Sequence, residues 1–220
     1  MIKEKLAEIR KEIPEHVTLI AVSKTKPVSA LEEAYIAGQR HFGENKVQEM
    51  FDKYEQLPKD IQWHLIGHLQ TNKVKYIAPF VHLIHSVDSL KLLSEIDKQA
   101  KKNNRVIDCL LQFHIAQEET KFGLDLQEAH SLLTSAEFLE MKNVRIIGVM
   151  GMASFTNDEQ QVKLEFSNLN AIFSQLKKDF FSLDDNFRER SMGMSGDYLL
   201  AMQEGSTMVR IGSTIFGGRN

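Results

Sequence analysis

Residues 17–38 read VTLIAVSKTKPVSALEEAYIAG, and this stretch holds the unit from which the fold is predicted. An apolar run, VTLIAVS, has the composition of a buried strand and stops at Lys24, with Lys26 and a proline following. The next segment places Leu31, Ala34 and Tyr35 on one helical face, and Gly38 suits a helix C-terminus. The stretch therefore predicts a strand followed by a helix.

The same alternation of short apolar run and helical segment recurs along the whole chain. In the fourth unit Asp88 is the predicted N-cap of its helix, and in the fifth the sequence DLQEAHSLLTSAEFL is predicted as one helix. Eight such units predict a closed parallel (β/α)₈ barrel, the TIM-type fold, in a single domain spanning residues 1–220. A doubly wound open sheet is the alternative, but no G-x-G-x-x-G follows the first strand.

Composition and charge limit the possible classes of function. The chain has 27 basic and 30 acidic residues, for a net charge of -3, and no long basic run typical of nucleic-acid binding. Cys109 is the single cysteine and is predicted to be a buried, inert thiol. The first 13 residues have the period of an amphipathic helix rather than a signal peptide. We therefore expect a cytoplasmic protein that binds a small molecule, with neither nucleic-acid nor membrane partners.

Two candidate anion sites follow the last two predicted strands. The sequence SMGMSGDYLL places Ser195 and Gly196 directly before a helix. The sequence RIGSTIFG repeats the arrangement with Gly212, Ser213 and Thr214. The loops after strands seven and eight often form the phosphate site of such barrels. Ser195 could instead be only a helix cap, but the two loops together favour phosphate binding.

A phosphate site opposite a lysine at the end of strand one suggests a phosphorylated aldehyde held as a Schiff base. Enclosure would remove hydration from the Lys24 ammonium and favour the neutral, nucleophilic amine, and repulsion from Lys26 would act in the same direction. The alternative for Lys24 is a solvated strand end without chemistry.

Eight motifs, in this order, closely resemble the pyridoxal phosphate homeostasis (YggS/PROSC) family, which is related to the N-terminal barrel of alanine racemase. The resemblance implies that Lys24 forms the Schiff base with pyridoxal 5'-phosphate, and that Arg210 faces the pyridine nitrogen. It also implies that Ser195, Gly212 and Ser213 hold the phosphate, and that Asn45 and Met150 line the ring pocket. The motifs are AVSKTKP, FGEN, WHLIGHLQTNK, HSVDS, KFGL, GVM, SMGMSGD and VRIGSTIFG.

An arginine at the pyridine nitrogen argues against strong catalysis. Arg210 keeps its proton and can only donate a hydrogen bond to an unprotonated nitrogen, so the ring would be a weaker electron sink than one paired with a carboxylate. Racemisation would also need a second base, which alanine racemases take from a further domain; the sequence ends after its eighth unit, and we expect no such domain here. We expect a protein that stores, carries or buffers the cofactor, with apo-enzymes as transient clients. A weak amino-acid racemase or related enzyme is the alternative.

The remaining polar candidates have weaker signals. Lys26 and Lys121 are candidate secondary amines for cofactor capture or transfer. His64 with His68, and His82 with His85, lack the spacing of a helical zinc motif, and we expect structural or cofactor-lining roles and no metal. A barrel needs no partner to close its core, and we expect a monomer.

Overall fold

The strands form one closed barrel, in agreement with the predicted fold. The computed structural model describes residues 1–117 and 122–218. The eight strands lie in sequence order and are all parallel, and β8 returns to pair with β1. Ile20 lies opposite Arg210 and Ala21 opposite Ile211 in that closing pair. The open, doubly wound alternative is wrong, because the sheet has no edge strands.

Helices separate the strands, as the alternation predicted. The strands are Thr18–Val22 (β1), His41–Glu44 (β2), Gln62–Leu65 (β3), Leu83–Val87 (β4), Ile107–Phe113 (β5), Val144–Gly151 (β6), Glu189–Met194 (β7) and Met208–Ile211 (β8). The described helices are Ile2–Glu12 (α1), Val28–Ile36 (α2), Val47–Gln56 (α3), Val74–Ile77 (α4), Leu90–Lys102 (α5), Leu126–Leu133 (α6), Ala136–Glu140 (α7), Glu159–Asp179 (α8), Tyr198–Gln203 (α9) and Ser213–Phe216 (α10). A short 3-10 turn, Thr71–Lys73, precedes α4.

The buried apolar residues form two separate clusters, because side chains alternate between the two faces of each strand. The larger cluster joins the outer face of the strands to the helices and includes Trp63 and Phe113. The smaller cluster fills the barrel interior. Its buried members are Ile20, Leu83, Leu110, Met150 and Met208.

The N-terminal helix and Cys109 follow the sequence predictions. Helix α1 buries Leu6 and Ile9 and packs against α2 and α10. Cys109 is fully buried in β5, and burial raises the pKa of its thiol far above the usual range. It is therefore unreactive at neutral pH. Among the described residues, no helix combines the length and apolar character needed to cross a membrane.

Two details of the helices differ from the sequence predictions. The N-cap of α5 is Ser89 rather than Asp88, and its hydroxyl accepts from the Leu92 amide at 3.2 Å. The single helix predicted in the fifth unit is two helices, α6 and α7. Ser135 separates them, since its hydroxyl caps α7 by accepting from the Phe138 amide. Both differences arise because side-chain capping competes with the backbone ladder at serine.

Candidate functional site

A cleft of about 750 Å³ opens at the C-terminal ends of the strands. It is about twice the volume of either of two further grooves, which measure about 350 and 370 Å³. Active sites in barrels of this type lie at this end. Seven of the predicted site residues line it together: Lys24, Lys26, Asn45, Ser195, Arg210, Gly212 and Ser213.

Lys24 lies in a tight turn just after β1. It is half-buried, and the following Thr25 has a φ of 65°, in the left-handed region that β-branched residues rarely adopt. The Thr25 amide donates to the Glu49 carboxylate, which holds this strained backbone in place. The Lys26 ammonium donates to the Gly218 carbonyl at 2.7 Å and so ties the turn to the C-terminal segment.

A buried ion-pair network supports the turn from below. The Lys53 ammonium donates to the Ser23 carbonyl at 2.7 Å, to Glu44 at 2.7 Å and to Glu49 at 2.8 Å. Ser23 also donates its hydroxyl to Glu44 at 2.6 Å. Burial raises the pKa of the fully enclosed Glu44 carboxyl, whereas Lys53 opposes that rise. The backbone on either side of Lys24 is therefore anchored through one buried ammonium.

The two predicted anion loops meet on the other side of the cleft. The Gly212 amide donates to the Ser195 hydroxyl at 3.1 Å, which joins the loop after β7 to the loop after β8. Gly212 lies close to β1, since an added Cβ would stand 3.0 Å from the Val22 carbonyl oxygen. Ser195, Gly212 and Ser213 thus line the same cleft as Lys24.

Arg210 lies at the base of the cleft and is almost completely buried. Its guanidinium donates to the Ser191 hydroxyl at 2.6 Å and to the Gly151 carbonyl at 3.1 Å. Burial lowers its pKa to about 10, so the group remains a cation at neutral pH. The site therefore holds a fixed donor where an anion or a ring nitrogen could accept.

A column of polar side chains continues from Arg210 through the barrel interior. Ser191 Oγ lies 2.8 Å from His85 Nδ1, and His85 Nε2 lies 2.9 Å from His64 Nδ1. His64 Nε2 lies 2.9 Å from His41 Nδ1, at the start of β2. Burial lowers the pKa of His41 to about 4 and those of His64 and His85 well below the usual range. These rings are therefore neutral at pH 7 and link both ends of the barrel.

Two predicted residues are not part of the described cleft lining. Met150 is buried in the interior cluster beneath the cleft, and Met152, two residues further along the chain, lines the cleft instead. Lys121 lies outside the described residues. Of the two histidine pairs, His68 lines the cleft, whereas His64 and His85 belong to the interior column.

Sequence reasoning missed the Glu44 and Lys53 pair. A signal was present, since Lys53 lies three residues from Met50 on the buried face of α3, and Glu44 ends a buried strand. A charged residue at such a position usually has a buried partner. The partner itself could not be read from the sequence.

Comparisons with known proteins agree with this architecture. The sequence model described as "Alanine racemase, N-terminal domain" matches residues 1–220. A pyridoxal phosphate homeostasis protein of Aquifex aeolicus is 40% identical over 202 residues, covering 91% of this chain and 86% of the relative. The protein of that name from Escherichia coli K12 is 36% identical over 234 residues, covering 100% of this chain and 97% of the relative. The chain belongs to the pyridoxal phosphate homeostasis proteins of the alanine racemase N-terminal domain family.

Solved structures extend the comparison. PipY of Synechococcus elongatus is 37% identical; its structure without PLP has a TM-score of 0.92 and covers 99% of this chain and 100% of that one. PipY with PLP bound has a TM-score of 0.89 over the same shares. An alanine racemase of Clostridium difficile is 13% identical with a TM-score of 0.77, and the match covers 99% of this chain and 56% of that one. That last likeness concerns the barrel alone.

Replacing Lys53 by methionine should strongly destabilise the protein. Lys53→Met keeps the length of the side chain but leaves the Glu44 carboxylate buried without its cation, which should cost about 3–5 kcal/mol of unfolding free energy. Without Lys53 the pKa of folded Glu44 lies still further above its unfolded value, so the loss should be largest at about pH 8 and shrink towards about pH 5. Urea unfolding across that pH range measures both effects.

Two variants control this prediction. Lys46→Met removes an exposed lysine next to the same helix and should change stability by less than about 0.5 kcal/mol. The double variant Glu44→Gln/Lys53→Met buries no unpaired charge and should recover part of the loss. Equal stability of the single and double variants would show that the ion pair is not what Lys53 contributes.

Proposed function

We propose that this protein binds pyridoxal 5'-phosphate in the cleft and acts in the storage, carriage or buffering of that cofactor, without strong catalysis of its own. The observation that carries the proposal is the convergence of Lys24, the Ser195–Gly212 link and Arg210 on one cleft. The relatives named pyridoxal phosphate homeostasis proteins, and PipY with PLP bound, support the choice of cofactor.

In this proposal each part of the cleft meets one part of the cofactor. The amine of Lys24 would hold the aldehyde as a Schiff base, formed with release of one water, and Ser195, Gly212 and Ser213 would bind the phosphate. Asn45 lines the ring pocket, and Met150 supports the pocket from beneath. The cofactor supplies an aldehyde that condenses with amines and a ring that withdraws electrons from the bound carbon.

Arg210 is the residue that argues for carriage over catalysis. Its guanidinium would donate to the pyridine nitrogen, and a cation at this place disfavours protonation of that nitrogen. An unprotonated ring withdraws electrons weakly, so carbanion chemistry receives little help. The bonds to Ser191 and Gly151 hold the guanidinium in one orientation.

A weak racemase or related enzyme is the second candidate, because alanine racemases share the barrel. Such an enzyme needs a second base on the opposite face of the substrate. The four tyrosines lie in helical segments, and none lines the described cleft: Tyr35, Tyr54, Tyr76 and Tyr198. Turnover of any amino acid, abolished in Lys24→Ala, would favour this candidate over carriage.

The proposal extends to the domain organisation, the place of action and the oligomeric state of the protein. Residues 1–220 form one cofactor-binding domain that works as a cytoplasmic monomer and passes the cofactor to apo-enzymes. Lys26 and Lys121 are the lysines to examine for a secondary role in transfer. The Lys26 ammonium lies in the cleft lining, bonded to Gly218, and could exchange that bond for the cofactor phosphate.

Lys24→Ala should abolish covalent attachment of the cofactor. Mixed with pyridoxal phosphate, the wild type should show a visible absorption band, and borohydride should fix the cofactor on the peptide that contains Lys24. The variant should show neither, because it lacks the amine. Absorption spectra and peptide mass spectrometry measure the two effects.

Lys26→Ala is the matched control, since it removes a neighbouring lysine of the same cleft and should keep the band. A band that persists in Lys24→Ala would move the chemistry to another lysine, with Lys26 and Lys121 the first to test. If no band forms in the wild type either, the proposed function fails.

Ser195→Ala should weaken binding of pyridoxal phosphate but not of pyridoxal. A hydrogen bond to a charged group contributes about 1.5–3 kcal/mol, which predicts roughly a 10- to 100-fold higher dissociation constant for the phosphorylated form. Fluorescence titration with both compounds measures the ratio. Ser29→Ala, at an exposed serine of α2 outside the cleft lining, should change neither constant. An equal loss for both compounds would show that Ser195 supports the loop rather than the phosphate.

Loaded protein should activate an apo-enzyme faster than an equal amount of free pyridoxal phosphate. Direct transfer keeps the aldehyde from being lost to other amines, so the advantage should grow when an excess of a competing amine is present. The rate at which activity appears in a pyridoxal-dependent apo-enzyme is the measurement. Equal rates with and without the protein would remove the transfer role and leave buffering.

A further inference from the structure

Three histidines from three neighbouring strands meet at the end of the barrel opposite the cleft. His41 begins β2, His64 is the third residue of β3, and His82 directly precedes β4. One nitrogen from each ring lies within 4.8 Å of the other two. We propose that this histidine triad binds one divalent transition-metal ion of the zinc class, at a site separate from the cofactor cleft.

The spacing of the triad is close to that of a histidine metal site. The ring centroids of His41 and His64 lie 5.2 Å apart, those of His64 and His82 5.2 Å, and those of His41 and His82 5.9 Å. Imidazole nitrogens bind zinc at about 2.0–2.1 Å, which places two such ligands roughly 3–3.5 Å apart. His41 Nδ1 and His64 Nε2 are already 2.9 Å apart in a hydrogen bond, so binding needs small ring rotations and a shift of the shared proton to the outer nitrogen of His41.

The interior column gives the central ligand, His64, a hydrogen-bond partner on the nitrogen that faces away from the triad. His64 Nδ1 faces His85 Nε2 at 2.9 Å, and His85 Nδ1 faces the Ser191 hydroxyl. If each Nδ1 carries the proton and donates along this column, the Nε2 lone pair of His64 points out towards the triad. Metal-binding histidines usually fix their other nitrogen by such a bond. Binding then requires no loss of a proton from His64, only a choice of tautomer.

His82 is the member of the triad that the column does not explain. Its ring makes no hydrogen bond to the residues that the structure describes, although it lies against both His41 and His64. A column with a purely structural role needs His41, His64 and His85. The ring of His82 adds no hydrogen bond to it among the described residues. A third imidazole completes a three-histidine ligand set, which leaves a further coordination position for water.

A metal ion can reach the triad from solvent. His82 is exposed, and His41 lines a separate groove of about 370 Å³ that also includes Arg10, Glu15 and Gln39. Asp108 and Arg105 are the charged groups that act on His82, and their effects on it are opposite in sign. The buried His64 supplies the inner ligand and the exposed His82 the outer one.

Calorimetric titration of the cofactor-free full chain with zinc chloride tests the proposal. We expect one zinc ion per chain and a dissociation constant at least tenfold higher in His82→Gln, which removes an exposed ligand and should leave the fold intact. His41→Gln is the second variant and should lose affinity similarly. His130→Gln removes a half-buried histidine far from the triad in sequence and should bind like the wild type.

A second readout reports coordination directly. With cobalt chloride the wild type should develop visible ligand-field absorption, and His82→Gln should lose it. Circular dichroism confirms that each variant is folded. No stoichiometric zinc binding by the wild type, unchanged affinity in His82→Gln, or an equal loss in His130→Gln would each overturn the proposal. None of these outcomes depends on whether Lys24 binds the cofactor.

Discussion

The parallel pairing of β8 with β1 is the constraint on which the site depends. It places Ile20 opposite Arg210 and Ala21 opposite Ile211, which brings the two ends of the chain together. Lys24 follows the first of these strands, and the Gly212 loop follows the second. Without closure these groups would lie at opposite edges of an open sheet. The cleft therefore exists only because the backbone hydrogen bonds of the two terminal strands are satisfied by each other.

The barrel interior is divided between apolar and polar contacts. Five apolar side chains fill one part of it, and the column from His41 to Arg210 fills another. Buried polar groups are costly unless each finds a partner, and here both ring nitrogens of the buried His64 and His85 face another polar atom. This arrangement fixes the orientation of Arg210 more firmly than apolar packing alone. The same column also gives the triad a preformed inner ligand.

The ion-pair network under Lys24 holds the backbone on one side of the cleft, as the column holds Arg210 at the base of the cleft. Lys53 is buried with Glu44, so either charge alone would be strongly unfavourable inside the protein. Together they bond the backbone at Ser23, while Glu49 holds the amide of Thr25. The two bonds together fix the backbone on both sides of Lys24, which a strained turn alone would not do.

The sequence by itself determined the number of strands, their order, the parallel barrel and the loops that line the cleft. Those features follow from hydrophobic period and from turn residues, which act locally along the chain. Only the tertiary structure decided that Lys53 pairs with Glu44, that Met152 rather than Met150 lines the described cleft, and that His41, His64 and His82 meet. These contacts depend on the stagger between strands and on the angle of each helix. The alternation of apolar and polar residues along a strand shows which face a side chain occupies, but not which other side chain it contacts.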